Sequence, residues 1–227
     1  MKTVEFVIKI VLLLFIWSIW WLASDAQLPG AVNLSIIVGG TLLVFPLVWL
    51  GRKLLDGQPS TRRARGVTTF VHYSLGILFG LPIVRALVTY REWSGWTLTV
   101  PGWIGLILVI VSGAACGLTI LNLALKGLGA PFAIALSQRL AADWLYAWTR
   151  NPMVLAALAI AAALGVWFQS VLFIVWVLAL LAPALLYFVK QYEERELELR
   201  FGASYLDYKA RTPMLVPRRP IEREAKA

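Results

Sequence analysis

Long apolar runs alternate with short charged segments along the whole chain. A transmembrane helix needs about 20 consecutive, mostly apolar residues. Four runs reach that length: residues 4–23, 31–50, 67–90 and 100–123. Two shorter runs follow, residues 153–168 and 171–189. Only Gln169 and Ser170 separate them, which predicts a helical hairpin over residues 152–189. The first arm is short, so whether it crosses the bilayer completely stays open.

The composition agrees with a membrane protein. Of the 227 residues, 60% are hydrophobic and only 15% are charged, and the mean hydropathy is +0.77. One soluble core would leave much of this apolar surface in water, whereas a bilayer solvates it. We therefore expect an all-α polytopic fold with four transmembrane helices, the C-terminal hairpin and an interfacial C-terminal helix, which gives five to six membrane segments.

The distribution of basic residues predicts the orientation. The second connection is rich in them: Arg52, Lys53, Arg62, Arg63 and Arg65. The first connection, around Asp25, has none, so the second is expected to be cytoplasmic. Counting spans from there places both termini in the cytoplasm, and we expect the membrane to be a bacterial cytoplasmic membrane. The net charge of +9 then reflects topology and anionic lipid rather than nucleic-acid binding.

Ionisable and sulfur-containing residues limit the chemistry. The single cysteine, Cys116, and the single histidine, His72, lack the partners needed for an intrachain disulfide, a bis-histidine haem or a multi-histidine zinc site. We expect no metal. His72 and Arg85 lie within the third run, and we interpret both as structural: His72 either snorkels to the interface or bonds a neighbouring helix, and Arg85 reaches the outer headgroups.

The C-terminal tail carries an amphipathic pattern. Leu197, Phe201, Tyr205 and Tyr208 recur at helical spacing among charged residues, which is typical of a helix at the membrane surface. Gly202 is expected to break or bend this helix.

Three short polar features are candidates for a site. They are the glycine segment 127–131, Arg150-Asn151-Pro152 before the hairpin, and Glu193-Glu194 after it. Each alone is also a common structural pattern, because glycines occur in turns and Asn-Pro begins helices. A hairpin returns the chain to the side that it left, however, so the second and third features are expected to meet. Adjacent carboxylates on a helix point about 100° apart, so only one of the two glutamates is expected to face a shared ligand.

The order of these features resembles the isoprenylcysteine carboxyl methyltransferase and phospholipid methyltransferase superfamily. That family has Arg-His/Asn-Pro, an apolar hairpin, Glu-Glu-x-x-Leu, Phe-Gly, two tyrosines and a final Val-Pro. Here these are Arg150-Asn151-Pro152, then Glu193-Glu194 with Leu197, Phe201-Gly202, Tyr205, Tyr208 and the segment from Pro213 through Pro217-Arg218. Thr212 stands where the family has valine before Pro213. Gly127, Gly129 and Pro131 are similar to the preceding glycine motif. The resemblance covers about the last hundred residues.

The resemblance implies methyl transfer from S-adenosylmethionine to a lipid or a lipidated small molecule. It implies a membrane scaffold over residues 1–125 and a methyltransferase-like region over 126–227. The residues implied in catalysis are Arg150, Asn151 and Glu194. The residues implied in cofactor binding are Gly127, Gly129, Pro131, Tyr146, Arg150, Asn151, Pro152, Glu193 and Glu194. In that reading Glu193 or Glu194 binds the ribose or amino end of the cofactor, and Arg150 binds a carboxylate.

Two alternatives remain open. One is an NADPH-dependent membrane reductase of the sterol-reductase type, whose Arg-His-Pro motifs are distantly similar. The other is a non-catalytic methyltransferase-like subunit, because Val154 stands where the family favours tyrosine and residues 141–146 differ from the family pattern.

Overall fold

The computed structural model describes residues 2–57, 60–93, 96–127 and 138–220. Over these residues the chain forms ten α-helices and no β-strand. The helices are α1 Lys2–Asp25, α2 Gly30–Gly57, α3 Thr61–Thr89, α4 Gly102–Asn122, α5 Leu145–Trp148, α6 Pro152–Trp167, α7 Val171–Trp176, α8 Ala182–Phe188, α9 Glu194–Phe201 and α10 Ala203–Arg211. Five segments are long and apolar enough to cross a membrane: Phe6–Asp25, Gly30–Gly57, Arg63–Glu92, Gly102–Gly127 and Val171–Phe201. The predicted all-α polytopic fold is confirmed.

The helices extend past the apolar runs that predicted them. The helix α3 begins at Thr61 rather than at residue 67, because the Ser60 hydroxyl caps it by accepting the N–H of Arg63 at 3.2 Å. Hydropathy marks the part of a helix that lies in hydrocarbon, whereas capping groups determine where the helix starts.

The second hairpin arm is one continuous helical segment through α7, α8 and α9. Two π-helical turns, Val177–Leu181 and Val189–Glu193, interrupt its regular hydrogen bonding. The segment continues to Phe201, twelve residues beyond Val189, where the predicted apolar run ends. Beyond it Gly202 has a φ of 55°, so the predicted break in the tail helix is present at this residue.

The hairpin spans the depth of the helix bundle. Its tip pairs with the connection between α3 and α4: the Leu98 N–H donates to the Gln169 carbonyl at 3.0 Å, and the Val171 N–H donates to the Trp96 carbonyl at 3.2 Å. The 16 residues of α6 span about 24 Å. The tip and Arg150 therefore lie at opposite ends of the bundle, and we call the end that carries Arg150 the rim end.

Packing around α2 forms the larger apolar core. Val44, Val48 and Leu55 of α2 are buried with Val71 of α3 and Val189 of the hairpin arm. The helix α1 lies to one side of this core and leaves large hydrophobic side chains more than half exposed: Phe15, Trp17, Trp21 and Leu22. Such a continuous apolar surface would be unfavourable in water and is solvated by lipid.

Arg85 differs from the sequence prediction. It is only 2% exposed, so its guanidinium is enclosed by the protein instead of extending outward. Its guanidinium donates to Asn33 Oδ1 from Nε at 3.0 Å and to the carbonyl of Ala26 at 2.9 Å, and also to the carbonyl of Ala23. A buried cation is stabilised when its N–H groups all find acceptors. Arg85 therefore ties the turn between α1 and α2 to α3.

The helices α4 and α6 approach each other closely near the hairpin tip. A Cβ atom added at Gly105 would lie 2.1 Å from the backbone nitrogen of Trp167. A Cβ atom added at Gly113, two turns further along α4, would meet no atom within 4 Å. Of these two glycines, only Gly105 is required for the contact between the backbones.

Gly105→Ala is expected to destabilise the protein, because backbone atoms of α6 cannot move aside as a flexible side chain can. We expect a loss of roughly 1–3 kcal/mol in the free energy of unfolding. The matched variant Gly113→Ala should be neutral or stabilising by up to about 1 kcal/mol, since alanine favours helix. Thermal unfolding in detergent measures both. Equal melting temperatures for the two variants would contradict the close α4–α6 contact.

Candidate functional site

The candidate site is built around Arg150, which lies two residues before the start of α6. Its Nη2 donates to Glu194 Oε1, and its Nη1 donates to the carbonyls of Lys209 at 2.9 Å and Thr212 at 2.6 Å. Its backbone N–H donates to the Pro213 carbonyl at 2.9 Å. The predicted meeting of Arg150 and Glu194 at one end of the hairpin is therefore observed.

The tail crosses over the start of the hairpin as a strap, formed by residues 203–218. The Asn151 side-chain amide donates to the Met214 carbonyl at 2.9 Å, and the Thr149 hydroxyl donates to the same oxygen at 3.0 Å. Arg218 closes the far end, where its N–H donates to the Trp148 carbonyl at 3.0 Å. Asn151 occupies the N-cap position of α6, with Pro152 after it, but its side chain makes no cap hydrogen bond. It holds the tail strap instead.

Charges on α9 lie on two faces of the helix. Glu194 also accepts from Lys209 Nζ at 2.7 Å, and Lys209 bonds Glu198 at 3.0 Å. Burial alone would lower the pKa of the Lys209 ammonium, but the hydrogen bonds and charges of these two carboxylates raise it above its usual value. Glu196 instead pairs with Arg200 at 2.8 Å and is buried. The face of α9 that carries Glu194 and Glu198 therefore packs against the tail strap.

Glu193 and Glu194 have different surroundings, as their angular separation predicts. Glu194 is 6% exposed and is used by Arg150 and Lys209. Glu193 is half-buried, and its carboxylate makes no hydrogen bond or ion pair with the described residues. It lies close enough to Tyr146 to act on that group: burial raises the pKa of the Tyr146 phenol, and the charge of Glu193 raises it further. The polar groups of the Glu193 and Tyr146 side chains thus remain available.

The aromatic residues of the tail fix Tyr146. The Tyr208 hydroxyl donates to the Tyr146 carbonyl at 2.6 Å, and Tyr205 and Tyr208 are both almost completely buried. Burial raises the pKa of both phenols, so they are neutral hydrogen-bond donors at neutral pH.

Only part of the predicted glycine motif can be located. The Gly127 carbonyl accepts the N–H of Gln138 at 2.9 Å and that of Arg139 at 3.1 Å. A Cβ at Gly127 would lie 3.0 Å from Leu123 and 3.5 Å from Ala141, so the glycine permits a close approach of chain segments. Gly129 and Pro131 lie outside the described residues.

A large apolar cleft runs between α4 and α6, and we call it the α4–α6 cleft. Its volume is about 690 Å³, which is the size of a small-molecule site. Thr149 and Pro152 line its rim end, and Val166 lines the part near the hairpin tip. The cleft begins beside Arg150 and continues along almost the whole of α6.

Sequence reasoning missed this cleft. Its α6 wall consists mainly of small residues, Ala156, Ala159 and Ala163, at helical spacing. That spacing in an otherwise apolar helix was the available signal, but small residues also occur wherever membrane helices pack closely. The backbone carbonyls that surround Arg150 could not be found from side-chain motifs at all.

Comparisons of the chain with protein-family models, curated proteins and solved structures found no match. The chemistry of the site is therefore inferred from the side chains that the fold brings together.

Glu194→Gln is expected to release the tail strap, because it removes one partner from a buried ion pair and leaves the Arg150 cation uncompensated. We expect the cost to be roughly 3 kcal/mol. Hydrogen–deuterium exchange over residues 203–218 should increase accordingly. Glu198→Gln is the matched control: this side chain is 22% exposed and its loss should cost under about 1 kcal/mol. Equal exchange in the two variants would show that Arg150 does not hold the tail.

Proposed function

We propose that this protein is an integral membrane methyltransferase that uses S-adenosylmethionine and acts on a lipid or a lipidated small molecule. The observation that carries the proposal is that the Glu193 carboxylate and the Tyr146 phenol make no hydrogen bond with the described residues at the rim end, where Arg150 pairs with Glu194. Leu145 and Thr149, on either side of Tyr146 in sequence, line the apolar cleft. A charged cofactor and an apolar acceptor need these two kinds of surface side by side.

The available side chains fit a sulfonium cofactor. A carboxylate and an aromatic ring both attract a cation, and the carboxylate also accepts hydrogen bonds from ribose hydroxyls. Glu193 and Tyr146 supply these groups. When bound, S-adenosylmethionine supplies an electrophilic methyl group for in-line displacement, a reaction that depends mainly on positioning. The neutral phenol of Tyr146 would donate a hydrogen bond, and the apolar walls of the α4–α6 cleft would exclude water.

In this proposal Arg150, Asn151 and Glu194 position the site rather than touch the reactants. The Arg150 guanidinium already has a carboxylate and two carbonyls as partners, and the Asn151 amide bonds Met214. The carboxylate-binding role that the resemblance gave to Arg150 is replaced by fixation of the tail strap. The pairing of these motif residues with each other also supports the second candidate, a non-catalytic subunit of the same fold.

The proposed orientation places the rim end in the cytoplasm. Arg52, beside the basic connection between α2 and α3, donates to the Gln191 carbonyl at 2.9 Å, so that connection lies at the same end as α9. An excess of Lys and Arg is typical of cytoplasmic loops. A water-soluble cofactor would then enter from the cytoplasm.

Glu193→Gln is expected to weaken binding of S-adenosylhomocysteine by about tenfold or more, because it removes a charged hydrogen-bond acceptor. The fold should be retained, since this carboxylate has no partner among the described residues. Calorimetric titration in nanodiscs measures the affinity, with Glu198→Gln as the control that leaves it unchanged. Binding of NADPH in place of S-adenosylhomocysteine would instead support a reductase, and binding of neither would support the non-catalytic subunit.

Ala159→Phe is expected to raise the apparent KM for the acceptor, because the new ring occupies the α4–α6 cleft that Ala159 lines. Ala157→Phe is its matched control: Ala157 is exposed on the same helix and does not line the cleft. Transfer of labelled methyl groups to a total lipid extract, at varied extract concentration, gives the two KM values. S-adenosylhomocysteine affinity should be unchanged in both variants. An unaltered KM in Ala159→Phe would mean that the acceptor binds elsewhere.

A further inference from the structure

The α4–α6 cleft is open on one side along its length. Leu108 and Val111, which line it from α4, are 46% and 61% exposed, and Trp148, which lines its rim end, is 44% exposed. Side chains that line a closed internal cavity would be buried, so these exposures show an open side. Because α4 belongs to a membrane-spanning segment, hydrocarbon surrounds that side. A chain of a bilayer lipid can therefore enter the cleft laterally.

The interior of the cleft offers no free polar group to such a chain. The hydroxyls of Ser112 and Thr119 donate to backbone carbonyls of α4, and that of Thr149 donates to the Met214 carbonyl at 3.0 Å. The other lining side chains are aliphatic except for Trp148. The part of a ligand that lies inside the cleft is therefore apolar, and its polar part lies at an end.

The rim end of the cleft lies at the depth of lipid head groups. Trp103, near the start of α4, is exposed, and so are Trp144 and Trp148 at the rim end. Exposed tryptophans are typical of the two boundaries between hydrocarbon and water. The helical rise from Trp103 to Lys126 is about 34 Å, which is close to the roughly 30 Å thickness of the hydrocarbon region. Lys126 therefore lies at the level of the phosphates on the rim side.

The rim-end opening of the cleft, which we call the mouth, is lined by Leu145, Trp148 and Pro217. Arg218 follows Pro217 directly, is exposed, and donates its backbone N–H to the Trp148 carbonyl at 3.0 Å. Its guanidinium makes one hydrogen bond, from Nη2 to the Arg211 carbonyl at 3.3 Å. A guanidinium has five N–H donors, so most of those of Arg218 remain available beside the mouth.

A second exposed cation lies beside the mouth on the α4 side. The Lys126 ammonium lies 5.7 Å from the centroid of the Trp144 ring, and Trp144 directly precedes the mouth residue Leu145. The exposed Arg139 adds positive charge here, since its backbone N–H bonds the residue after Lys126 at 3.1 Å. Asp143 is the exposed carboxylate next to Trp144. The exposed charges that these described residues place around the mouth are thus three positive and one negative.

We propose that one acyl chain of an anionic phospholipid from the surrounding bilayer lies in the α4–α6 cleft and that its phosphate binds Lys126 and Arg218. A phosphate has several acceptor oxygens, so it can accept from an ammonium and a guanidinium together. Basic pockets between transmembrane helices are typical sites for anionic head groups. The volume of about 690 Å³ and the length of α6 suit one elongated chain. The identification of this lipid with the methyl acceptor rests on the proposed function, whereas its binding does not.

The test measures thermal unfolding of the full chain in detergent at increasing concentrations of dioleoylphosphatidylglycerol, with dioleoylphosphatidylcholine as the probe that has the same chains and no net charge. The anionic lipid should raise the melting temperature of the wild type more than the zwitterionic lipid does. In Lys126→Gln/Arg218→Gln the concentration of anionic lipid needed for the same shift should rise by about tenfold, and the two lipids should become equivalent. Without lipid this variant should melt like the wild type, because both side chains are exposed.

The matched control is Lys53→Gln/Arg65→Gln. It removes the same charge from exposed positions of α2 and α3, which do not line the cleft, so it should keep the preference for the anionic lipid. Equal loss of the preference in both double variants would show a general attraction to a basic surface and would overturn the proposal. A wild-type response of Lys126→Gln/Arg218→Gln would overturn it as well.

The position of the acyl chain is tested separately from the charges. Ala159→Phe fills the cleft without changing the charge and should weaken the response to both lipids, whereas Ala157→Phe should not. A wild-type response of Ala159→Phe would show that the chain lies elsewhere and would overturn the proposal. Because the titrations contain no cofactor, failure of the proposed methyltransferase function would leave their outcome unaffected.

Discussion

The buried ion pair between Arg150 and Glu194 determines the architecture of the rim end. It connects the start of α6, the helix α9 and the tail strap, three segments that are far apart in sequence. Burying two charges costs much solvation energy, so such a pair persists only where further hydrogen bonds satisfy the remaining donors and acceptors. The carbonyls of Lys209 and Thr212 and the ammonium of Lys209 provide them here.

In this arrangement the residues that fix the tail differ from those to which the proposed function assigns cofactor binding. Residues of the Arg-Asn-Pro segment hold the tail in place, while Glu193 and Tyr146, which the tail strap and α9 position, keep polar groups available. The α4–α6 cleft begins at Leu145 and Thr149, on either side of Tyr146 in sequence, and offers apolar walls. A site at the boundary between water and hydrocarbon can take a charged cofactor from one side and an apolar acceptor from the other. Methyl transfer from a sulfonium suits such a site, because it demands positioning and a dry cavity more than it demands acid–base groups.

Much of the fold could be predicted from hydropathy, because hydrocarbon excludes charge and so marks each span in the sequence. The spans, the hairpin and the break at Gly202 all followed from local patterns. The proximity of Arg150 and Glu194 also followed, because a hairpin must return its second arm to the starting side.

The details of polar pairing could not be predicted. The interactions of Arg150 with Lys209 and Thr212 involve backbone carbonyls, which every residue has and no motif records. Arg85 bonds Asn33 and the Ala26 carbonyl, more than fifty residues away in sequence, and its position near a span end did not indicate these partners. Nothing in the sequence around Asn122 shows that its amide lacks a partner, since that depends on the packing of α4 against the rest of the bundle.

The most direct test of the central claim is ultraviolet cross-linking of methyl-labelled S-adenosylmethionine to the protein in nanodiscs, followed by mass-spectrometric mapping of the labelled peptides. We predict label in the peptides that contain Tyr146 and Glu193, and loss of that label in the presence of excess S-adenosylhomocysteine. Label confined to α1, α2 or α3, or no label that S-adenosylhomocysteine displaces, would contradict it.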